Sequence, residues 1–329
     1  MDWTRASLSR RRLLQAGAAC VAVTALPAIA QLGGSGIVRV IVPFAAGGGS
    51  DVIARLVAEG LQRALQQTVV VDNRPGAGGN IGSSAVAKAA PDGLTLLFTP
   101  QSPITIAPYV EPKPDFDAEK DFAPIAIVAK APLLLLVNAA VPAKSMAELV
   151  ALSKAKPNAL FYGSPSPEFA FTTELLAREA GLSMTGVPYR GSAPAVTDLL
   201  GGQIQVLVSS AGLAKAHLKS GRVRALAVID SSRSPDFPGV PSTDELGLHN
   251  LKVFGWFGLF APSKTPEPVL ERLSAATVKL ALDPAYRAKV QEANYEPLAM
   301  DRAATRAVVA EHRAIWKSVA PRVSAKLIS

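Results

Sequence analysis

The chain of 329 residues has few of the side chains on which catalysis and covalent cross-linking depend. It contains one cysteine, three histidines and only 6% aromatic residues. A single cysteine excludes an internal disulfide framework and a thiolate metal site. The basic residues are scattered, with no run of five or six, whereas nucleic-acid binding relies on basic stripes with interleaved aromatic side chains. We therefore expect no nucleic-acid partner.

The chain also lacks the common signatures of enzymes and of membrane spans. His217, His249 and His312 stand apart from the glycine-rich loops in the sequence and do not have the spacing of metal ligands. No G-x-S-x-G motif or clustered pair of carboxylates is present. After residue 31 no apolar run is long enough to cross a membrane, and Leu133–Val137 has the length of a buried strand. We expect no catalysis, no metal and no cofactor.

The first 30 residues have the organisation of a signal peptide. Four arginines precede an apolar stretch from Leu13 to Leu26, and Ala28-Ile29-Ala30 is a small-residue cleavage signal. The run Arg10-Arg11-Arg12 indicates twin-arginine export, with a Sec signal as the alternative. Cys20 lies in this leader, so the mature chain should lack cysteine. Since the leader carries four arginines against one aspartate, +5 of the net charge of +8 remains on the mature, periplasmic protein.

Beyond the leader, short apolar runs alternate with segments of helical periodicity. This alternation predicts an α/β fold of mostly parallel sheets flanked by helices. Strands are predicted at 37–44, 69–71, 94–99, 125–128, 133–138, 160–162, 186–188, 204–208, 224–229 and 254–261. Helices are predicted at 51–65, with Ser50 as the N-cap, and at 80–89, 146–155, 167–180, 193–200, 213–220, 266–282, 285–293 and 302–324.

No flexible linker divides the mature chain. If there are two domains, the polypeptide must therefore pass from one to the other along strands. The strands around 135–138 and 256–260 are the expected crossings. They predict a discontinuous first domain, 31–137 with 258–329, and a continuous second domain, 138–257. Two such connections form a hinge, and a cleft between hinged domains is a usual ligand site.

Four segments place small residues between a strand and a helix: Val42–Asp51, Asn73–Gly82, Gly163–Glu168 and Val187–Pro194. Ser50 and Ser166 are predicted N-caps of the helices that follow. Free amides and the helix dipole attract anions at helix starts, although each segment alone is equally a tight turn. Because the carboxyl ends of strands meet at one edge of a sheet, the four starts could converge on one crevice suited to a carboxylate.

The order of these segments is similar to that of one known family. The matching stretches are VPFAAGGGSD, VVVDNRPGAGGNIG, APDGLTLL, VPYRGSAPA, DLLGGQI and GWFGLFAP, which together cover nearly the whole mature chain. The sequence resembles the tripartite tricarboxylate transporter substrate-binding family, also called Bug or TctC receptors. The resemblance implies a two-domain type II periplasmic binding-protein fold with hinge strands. It also implies capture of organic acids, acidic amino acids or aromatic carboxylates.

The resemblance further implies which residues line the ligand cleft. The first wall is formed by the loop after the first strand and by the residues after the third strand. The loops of the second domain form the facing wall. The implied residues are Phe44, Ala45, Gly47, Gly48, Asp51, Thr99, Gln101 and Ser102 on the first wall, and Ser164, Pro188, Tyr189, Arg190 and Gly191 on the second. Arg190 either binds the carboxylate directly or faces outward from a family turn, and we favour the outward orientation.

The chain departs from the family pattern at two places in the second domain. Relatives usually have a Ser/Gly/Thr-rich loop followed by histidine where this chain has two prolines and Glu168, and Ser209 stands where an aspartate often follows a strand. We hypothesise that Glu168 faces the cleft and pairs with a cationic or hydroxyl part of the ligand. The alternative is a glutamate that stabilises the first turn of an exposed helix. An unchanged affinity ranking of a ligand panel in Glu168→Gln would reject the hypothesis.

The expected partners follow from the same resemblance. A monomeric receptor would deliver its carboxylate to the membrane permease subunits of a tripartite transporter. Alternatively, it would present the loaded form to the ectodomain of a sensor kinase. Both roles use ligand-driven domain closure, so the sequence alone leaves both open.

Overall fold

Most of the predicted apolar runs form strands in the computed structural model, which describes residues 36–110, 113–251 and 253–323. The predicted leader, 1–30, with its Cys20, lies outside the described residues. Within them, eleven strands alternate with ten α-helices and three short 3-10 turns. No helix in this described part is long and apolar enough to cross a membrane.

The elements are numbered in chain order. The strands are β1 (Val38–Val42), β2 (Val69–Asn73), β3 (Thr95–Pro100), β4 (Phe122–Ala131), β5 (Leu133–Asn138), β6 (Leu160–Ser164), β7 (Met184–Pro188), β8 (Val206–Ser210), β9 (Val223–Val228), β10 (Gly255–Pro262) and β11 (Glu296–Met300). The helices are α1 (Gly49–Leu65), α2 (Asn80–Ala87), α3 (Ser102–Thr105), α4 (Met146–Ala155), α5 (Pro167–Ala180), α6 (Ser192–Gly201), α7 (Ala211–Leu218), α8 (Glu267–Leu282), α9 (Pro284–Glu292) and α10 (Arg302–Val319).

The strands form two sheets, each of which is mixed. Lobe 1 is the six-stranded sheet β11-β4-β10-β3-β1-β2 with its helices, and lobe 2 is the five-stranded sheet β7-β6-β8-β5-β9 with its helices. Four strand pairs are parallel and five are antiparallel. The predicted α/β architecture is confirmed, but the sheets are not mostly parallel. Every antiparallel pair involves β4, β5 or β10, which flank the places where the chain changes sheet.

Two central strands show why helices must cover both faces of each sheet. All six residues of β5, with the sequence LLLLVN, are buried, and so are all eight residues of β10, with the sequence GWFGLFAP. A strand buried on both faces requires a helical layer on each side. The core therefore lies along the middle of each sheet.

The chain changes sheet at Pro132, which separates β4 in lobe 1 from β5 in lobe 2. It returns to lobe 1 between Val228, the last residue of β9, and Gly255, the first of β10. Sheet membership thus places the first crossing at Pro132, a few residues before the expected one. The domain boundaries at 137 and 258 stay a prediction.

The last helix, α10, contacts both lobes. Near its start, the Thr305 hydroxyl accepts a hydrogen bond from the backbone amide of Ile127 in β4 at 3.0 Å. Near its end, the buried Trp316 ring packs edge-on against Phe171 of α5, with ring centroids 6.1 Å apart. Helix α10 therefore joins the sheet of lobe 1 to a helix of lobe 2.

Several local predictions differ from the structure, and two of the differences lie next to the cavity described below. Helix α1 begins at Gly49 with Gly48 as its N-cap, so Ser50 is the second helical residue and not the cap. Strand β11 was not predicted at all. Its residues are only half-buried and include Pro297, so the segment shows neither an apolar run nor a clear alternation.

Candidate ligand-binding cavity

A cavity of about 300 Å³ lies where helices from both lobes begin. Lobe 1 contributes the starts of α1, α2 and α3, and lobe 2 contributes the start of α5. Apolar residues after α3 and two aromatic rings complete the wall. The lining residues are Phe44, Gly49, Ser50, Ala77, Gly78, Asn80, Pro100, Ser102, Ile106, Ala107, Val110, Ser166, Pro167, Glu168, Phe257 and Tyr295.

The start of α1 presents backbone amides that no side chain caps. Gly48, the N-cap, has no side chain, and the first amides of a helix have no partner within it. At Gly49 the backbone passes so close to Tyr295 that a Cβ atom would overlap the phenol oxygen. Glycine is therefore required at this position for Tyr295 to cover the helix start.

Asp51 holds the loop before α1 in place instead of facing the cavity. Its carboxylate accepts a hydrogen bond from the Gly47 amide at 2.9 Å and is bonded by the Arg55 guanidinium one turn further along. Burial opposes ionisation, but the hydrogen bonds from Arg55 and Gly47 outweigh it and hold the pKa of Asp51 below its usual value. The charge of Asp51 is thus balanced by Arg55.

The turn before α2 has an unusual backbone. Gly76, Ala77, Gly78 and Gly79 all have positive φ angles, between 48° and 133°. At Gly79 a Cβ atom would lie 3.0 Å from the Phe44 ring. Glycine tolerates this conformation at little steric cost, so the backbone itself can line the cavity here.

Helix α5 forms the lobe 2 side of the cavity. Ser166 is its N-cap and Pro167 its first residue, as predicted, although the Ser166 hydroxyl makes no capping hydrogen bond. Proline has no amide hydrogen, so the free amides of this first turn are those of Glu168 and Phe169. The dipole of a 14-residue helix adds partial positive charge at the same end.

Glu168 is the one carboxyl group among the lining residues, and none of them is lysine, arginine or histidine. Its Oε1 accepts a hydrogen bond from Gln101 Nε2 at 2.9 Å, which connects α5 of lobe 2 to the end of β3 in lobe 1. Burial raises the pKa of Glu168, and the hydrogen bond from Gln101 only partly offsets this effect.

Behind Gln101 the network continues into the core. His312 of α10 has Nδ1 at 3.0 Å from Gln101 Oε1, and the Trp256 indole donates to the same nitrogen at 3.3 Å. Burial lowers the pKa of His312 to about 4, so its ring is neutral near pH 7. His312 is distant in the sequence from every glycine loop. In the fold, two successive hydrogen bonds, through Gln101, connect it to Glu168 in the cavity wall.

Two aromatic rings give the cavity an apolar wall. The Tyr295 ring packs edge-on against Phe257, with centroids 5.2 Å apart, and Phe257 stacks on Phe98 at 6.3 Å. Burial raises the pKa of the Tyr295 phenol, which therefore stays protonated near neutral pH. This wall suits the carbon skeleton of a ligand and offers one hydroxyl.

Several predicted site residues lie at the cavity. Phe44, Ser102 and Glu168 line it, and Gln101 bonds Glu168 from behind. The loop before α1 also contains Ala45, Gly47, Gly48 and Asp51, which are not among the lining residues. Thr99, Ser164 and Ser209 are buried within β3, β6 and β8 and do not line the cavity either.

The predicted wall from Pro188 to Gly191 does not line this cavity. The Tyr189 hydroxyl donates a hydrogen bond to Asp198 at 2.7 Å, and burial together with this bond raises the pKa of Tyr189 to about 12. Arg190 is exposed, and Gly191 is the N-cap of α6. A role for this loop in ligand binding stays a prediction.

Sequence reasoning missed Asn80, Phe257, Tyr295 and the apolar residues after α3. Asn80 and Phe257 belong to the quoted stretches VVVDNRPGAGGNIG and GWFGLFAP. The sequence analysis used both stretches but predicted no ligand-binding role for these two residues. Tyr295 precedes the unpredicted strand β11 and carries no motif.

Comparison with known proteins identifies similar chains. The family model described as the tripartite tricarboxylate transporter family receptor matches residues 53–324. Protein BugT of Bordetella pertussis is 34% identical over 297 residues, which cover 88% of this chain and 90% of BugT.

Two solved structures with bound acids are also similar. One is a protein from R. palustris solved with adipate: it is 31% identical, has a TM-score of 0.73, and the match covers 87% of this chain and 96% of that one. The other is MatC from Rhodopseudomonas palustris with bound malate, 31% identical with a TM-score of 0.70, covering 86% and 98% respectively.

Proposed function

Because the chain belongs to the tripartite tricarboxylate transporter receptor family, we propose that it is a periplasmic solute-binding protein that captures a small carboxylate for such a transporter. One observation carries the proposal. Helix starts without side-chain caps, from both lobes, open onto one small cavity whose lining residues include no cationic side chain.

Backbone amides are suitable ligands for a carboxylate in this cavity. The first-turn amides of α1 and α5 lack intrahelical partners, and the dipoles of these two longest cavity helices favour negative charge at the same ends. A volume of about 300 Å³ is at the small end of ligand sites and suits an acid of few carbon atoms. Adipate and malate in the two similar structures are acids of this kind.

Capture requires the two walls to approach each other. We assign the first wall to the domain formed by 31–137 with 258–329 and the second to the domain 138–257. A ligand that contacts both walls binds the closed arrangement more tightly and so shifts the population towards it. In this proposal the protein binds its acid without chemical change and needs no cofactor. The loaded form then docks on the permease subunits.

The direct test is calorimetry of the mature protein with malate, adipate, aspartate and benzoate. We expect at least one acid to bind with a Kd of about 10 μM or tighter and to raise the melting temperature. The matched control is the diamide of the best dicarboxylate or the amide of the best monocarboxylate, which keeps the shape but not the charge. Equal binding of the amide, or binding of none of the acids, would overturn the proposal.

A further inference from the structure

A chain of four hydrogen-bonded side chains leads from the cavity wall into the core. Glu168 Oε1 lies 2.9 Å from Gln101 Nε2, and Gln101 Oε1 lies 3.0 Å from His312 Nδ1. The indole nitrogen of Trp256 lies 3.3 Å from the same Nδ1. Gln101, His312 and Trp256 are each 1% exposed, so the proton positions must be consistent within this chain.

The donors and acceptors conflict if Glu168 is ionised. An ionised Glu168 only accepts, so Gln101 must turn its NH₂ group towards it and its oxygen towards His312. His312 is neutral and carries one ring proton, which would then have to sit on Nδ1. The Trp256 indole can only donate, and it would face that same N–H group without an acceptor.

The clash between the two N–H groups is removed if Glu168 is protonated. A half-turn of the Gln101 amide exchanges its nitrogen and oxygen without moving a neighbour. The amide nitrogen and the Trp256 indole then share the single lone pair of an unprotonated His312 Nδ1, and the ring proton moves to Nε2. The Gln101 oxygen faces Glu168 and accepts a hydrogen bond from the O–H of its carboxyl group.

We infer that Glu168 stands in the cavity as a neutral carboxylic acid, held in that state by the donor-only Trp256 acting through His312 and Gln101. The inference deepens the proposed function and rests on it where ligand binding is concerned. It explains how the one acid in the wall can coexist with an anionic ligand: the neutral group does not repel a carboxylate. Gln101 and His312 are positioning residues in this arrangement.

The electrostatic surroundings agree with a neutral Glu168. Burial raises its pKa, and no charged side chain contributes to the shift. On the facing elements, Asp51 of α1 is bonded to Arg55, and Arg313 of α10 donates to the Ile104 carbonyl at 3.1 Å. The titratable groups on the remaining elements next to α5 are the phenols of Tyr109, Tyr162 and Tyr295, whose pKa values are raised by burial. The Tyr162 hydroxyl donates a hydrogen bond to Glu174 of α5 at 2.6 Å and does not contact Glu168.

A neutral Glu168 also narrows the ligand class. Its carbonyl oxygen accepts a hydrogen bond, so it suits a hydroxyl group on the ligand better than an ammonium group, the other possibility raised by the sequence. The expected ligand is therefore a hydroxy acid or an acid with a similar uncharged donor. Ionisation of Glu168 adds repulsion, so carboxylate affinity should fall by up to about tenfold per pH unit above the Glu168 pKa.

The test is nuclear magnetic resonance of the full mature protein with ¹⁵N-labelled histidine, which needs no ligand. We expect His312 Nδ1 to be unprotonated at pH 7, and the proton to move from Nε2 to Nδ1 as the Glu168 carboxyl carbon titrates at higher pH. Glu168→Gln provides a permanent donor, so its His312 should keep the Nε2 proton from pH 6 to pH 9. His217 and His249, outside the network, are internal references.

Two results would overturn the inference: a His312 protonated at Nδ1 at pH 7, or a His312 tautomer that does not follow the Glu168 titration. The ligand arm uses malate as probe. We expect its affinity to fall in the natural protein above the pH at which Glu168 titrates, and to change less than twofold in E168Q over the same pH range. If malate does not bind at all, the proposed function is at fault, whereas the tautomer measurement still decides the state of Glu168.

Discussion

Helix starts at the cavity differ from several helix starts elsewhere in the molecule. Helices α4, α9 and α10 are capped by their own N-cap side chains: Ser145, Asp283 and Asp301 each accept first-turn amide hydrogen bonds. The four helices that open onto the cavity, α1, α2, α3 and α5, make no such bond. A capped start satisfies its own amides, whereas a bare start leaves them for water or a ligand.

A bare start alone does not define a binding site. Helices α6, α7 and α8 also lack a side-chain cap, yet none of their residues lines the cavity. What distinguishes the cavity helices is that their bare starts meet in one place. We therefore expect anion binding where unpaired amides from several helices converge, as they do at the cavity.

The largest effect should come from placing a charge at a bare cavity start. Ser166→Asp keeps a good N-cap residue on α5, so folding is preserved. It also puts an ionised carboxylate next to the free amides of this helix, where it competes with the ligand and repels it. We expect calorimetry to show that carboxylate affinity falls at least about 30-fold, or about 2 kcal/mol.

The matched control is Ser145→Asp, the same change at the capped start of α4, which does not line the cavity. Its carboxylate affinity should stay within twofold of the natural protein. Similar losses in the two variants would show that the bare start of α5 has no special role.

The next largest effect is expected on stability, from the close contact between the Gly49 backbone and the Tyr295 hydroxyl at the start of α1. Gly49→Ala forces a Cβ atom against the Tyr295 hydroxyl, and such overpacking typically costs about 1–3 kcal/mol of unfolding free energy. Urea unfolding should show this loss, and removing the oxygen with Tyr295→Phe should restore part of it. Gly201→Ala, in an open helical position of α6, serves as the control and should not destabilise. A Gly49→Ala protein as stable as Gly201→Ala contradicts the expected contact.

A smaller effect is expected on the free energy of unfolding, which should depend on the N-cap side chain at a capped helix start but not at an uncapped one. Asp301→Ala removes the side-chain cap of α10 and should cost about 1 kcal/mol in unfolding free energy, without changing ligand affinity. Ser166→Ala removes a hydroxyl that makes no capping bond, so its stability should change by less than half of that. The reverse order of stability would contradict the distinction between capped and bare starts.

The smallest effect is the acid sensitivity of the α1 loop. Because the folded-state pKa of Asp51 is lowered below 3.8, its stabilisation is present above that pH and is lost as the pH falls through the folded value. Urea unfolding between pH 5 and pH 3 should therefore show a steeper loss in the natural protein than in Asp51→Asn. Parallel losses in the two proteins would mean that Asp51 does not hold the loop through its charge.

The sequence predicted most elements of this fold because their apolar runs are strong. Strand β5 and helices α4 and α5 have the predicted ends. The first five residues of LLLLVN are apolar, and Ser166-Pro167 marks the start of α5. Strand β11 was not predicted because a half-buried edge strand with a proline shows neither a continuous apolar run nor a regular alternation of apolar and polar residues.

The site was less predictable because it depends on contacts between distant segments. The glycine loops at Phe44 and the start of α5 were found through local turn chemistry. No local signal connects Gln101 to Glu168, 67 positions away, or to His312, 211 positions away. The side chain of Tyr295 likewise lies against Gly49, which is distant in the sequence, and no local pattern predicts that contact.

A crystal structure with the tightest-binding acid from the calorimetric panel would show which groups of the protein hold the carboxylate. We expect one carboxylate group to lie about 2.7–3.1 Å from first-turn amides of α1 in lobe 1 and of α5 in lobe 2 at the same time. A ligand held by side-chain cations, or by amides of one lobe alone, would mean that converging helix starts are not the basis of carboxylate binding.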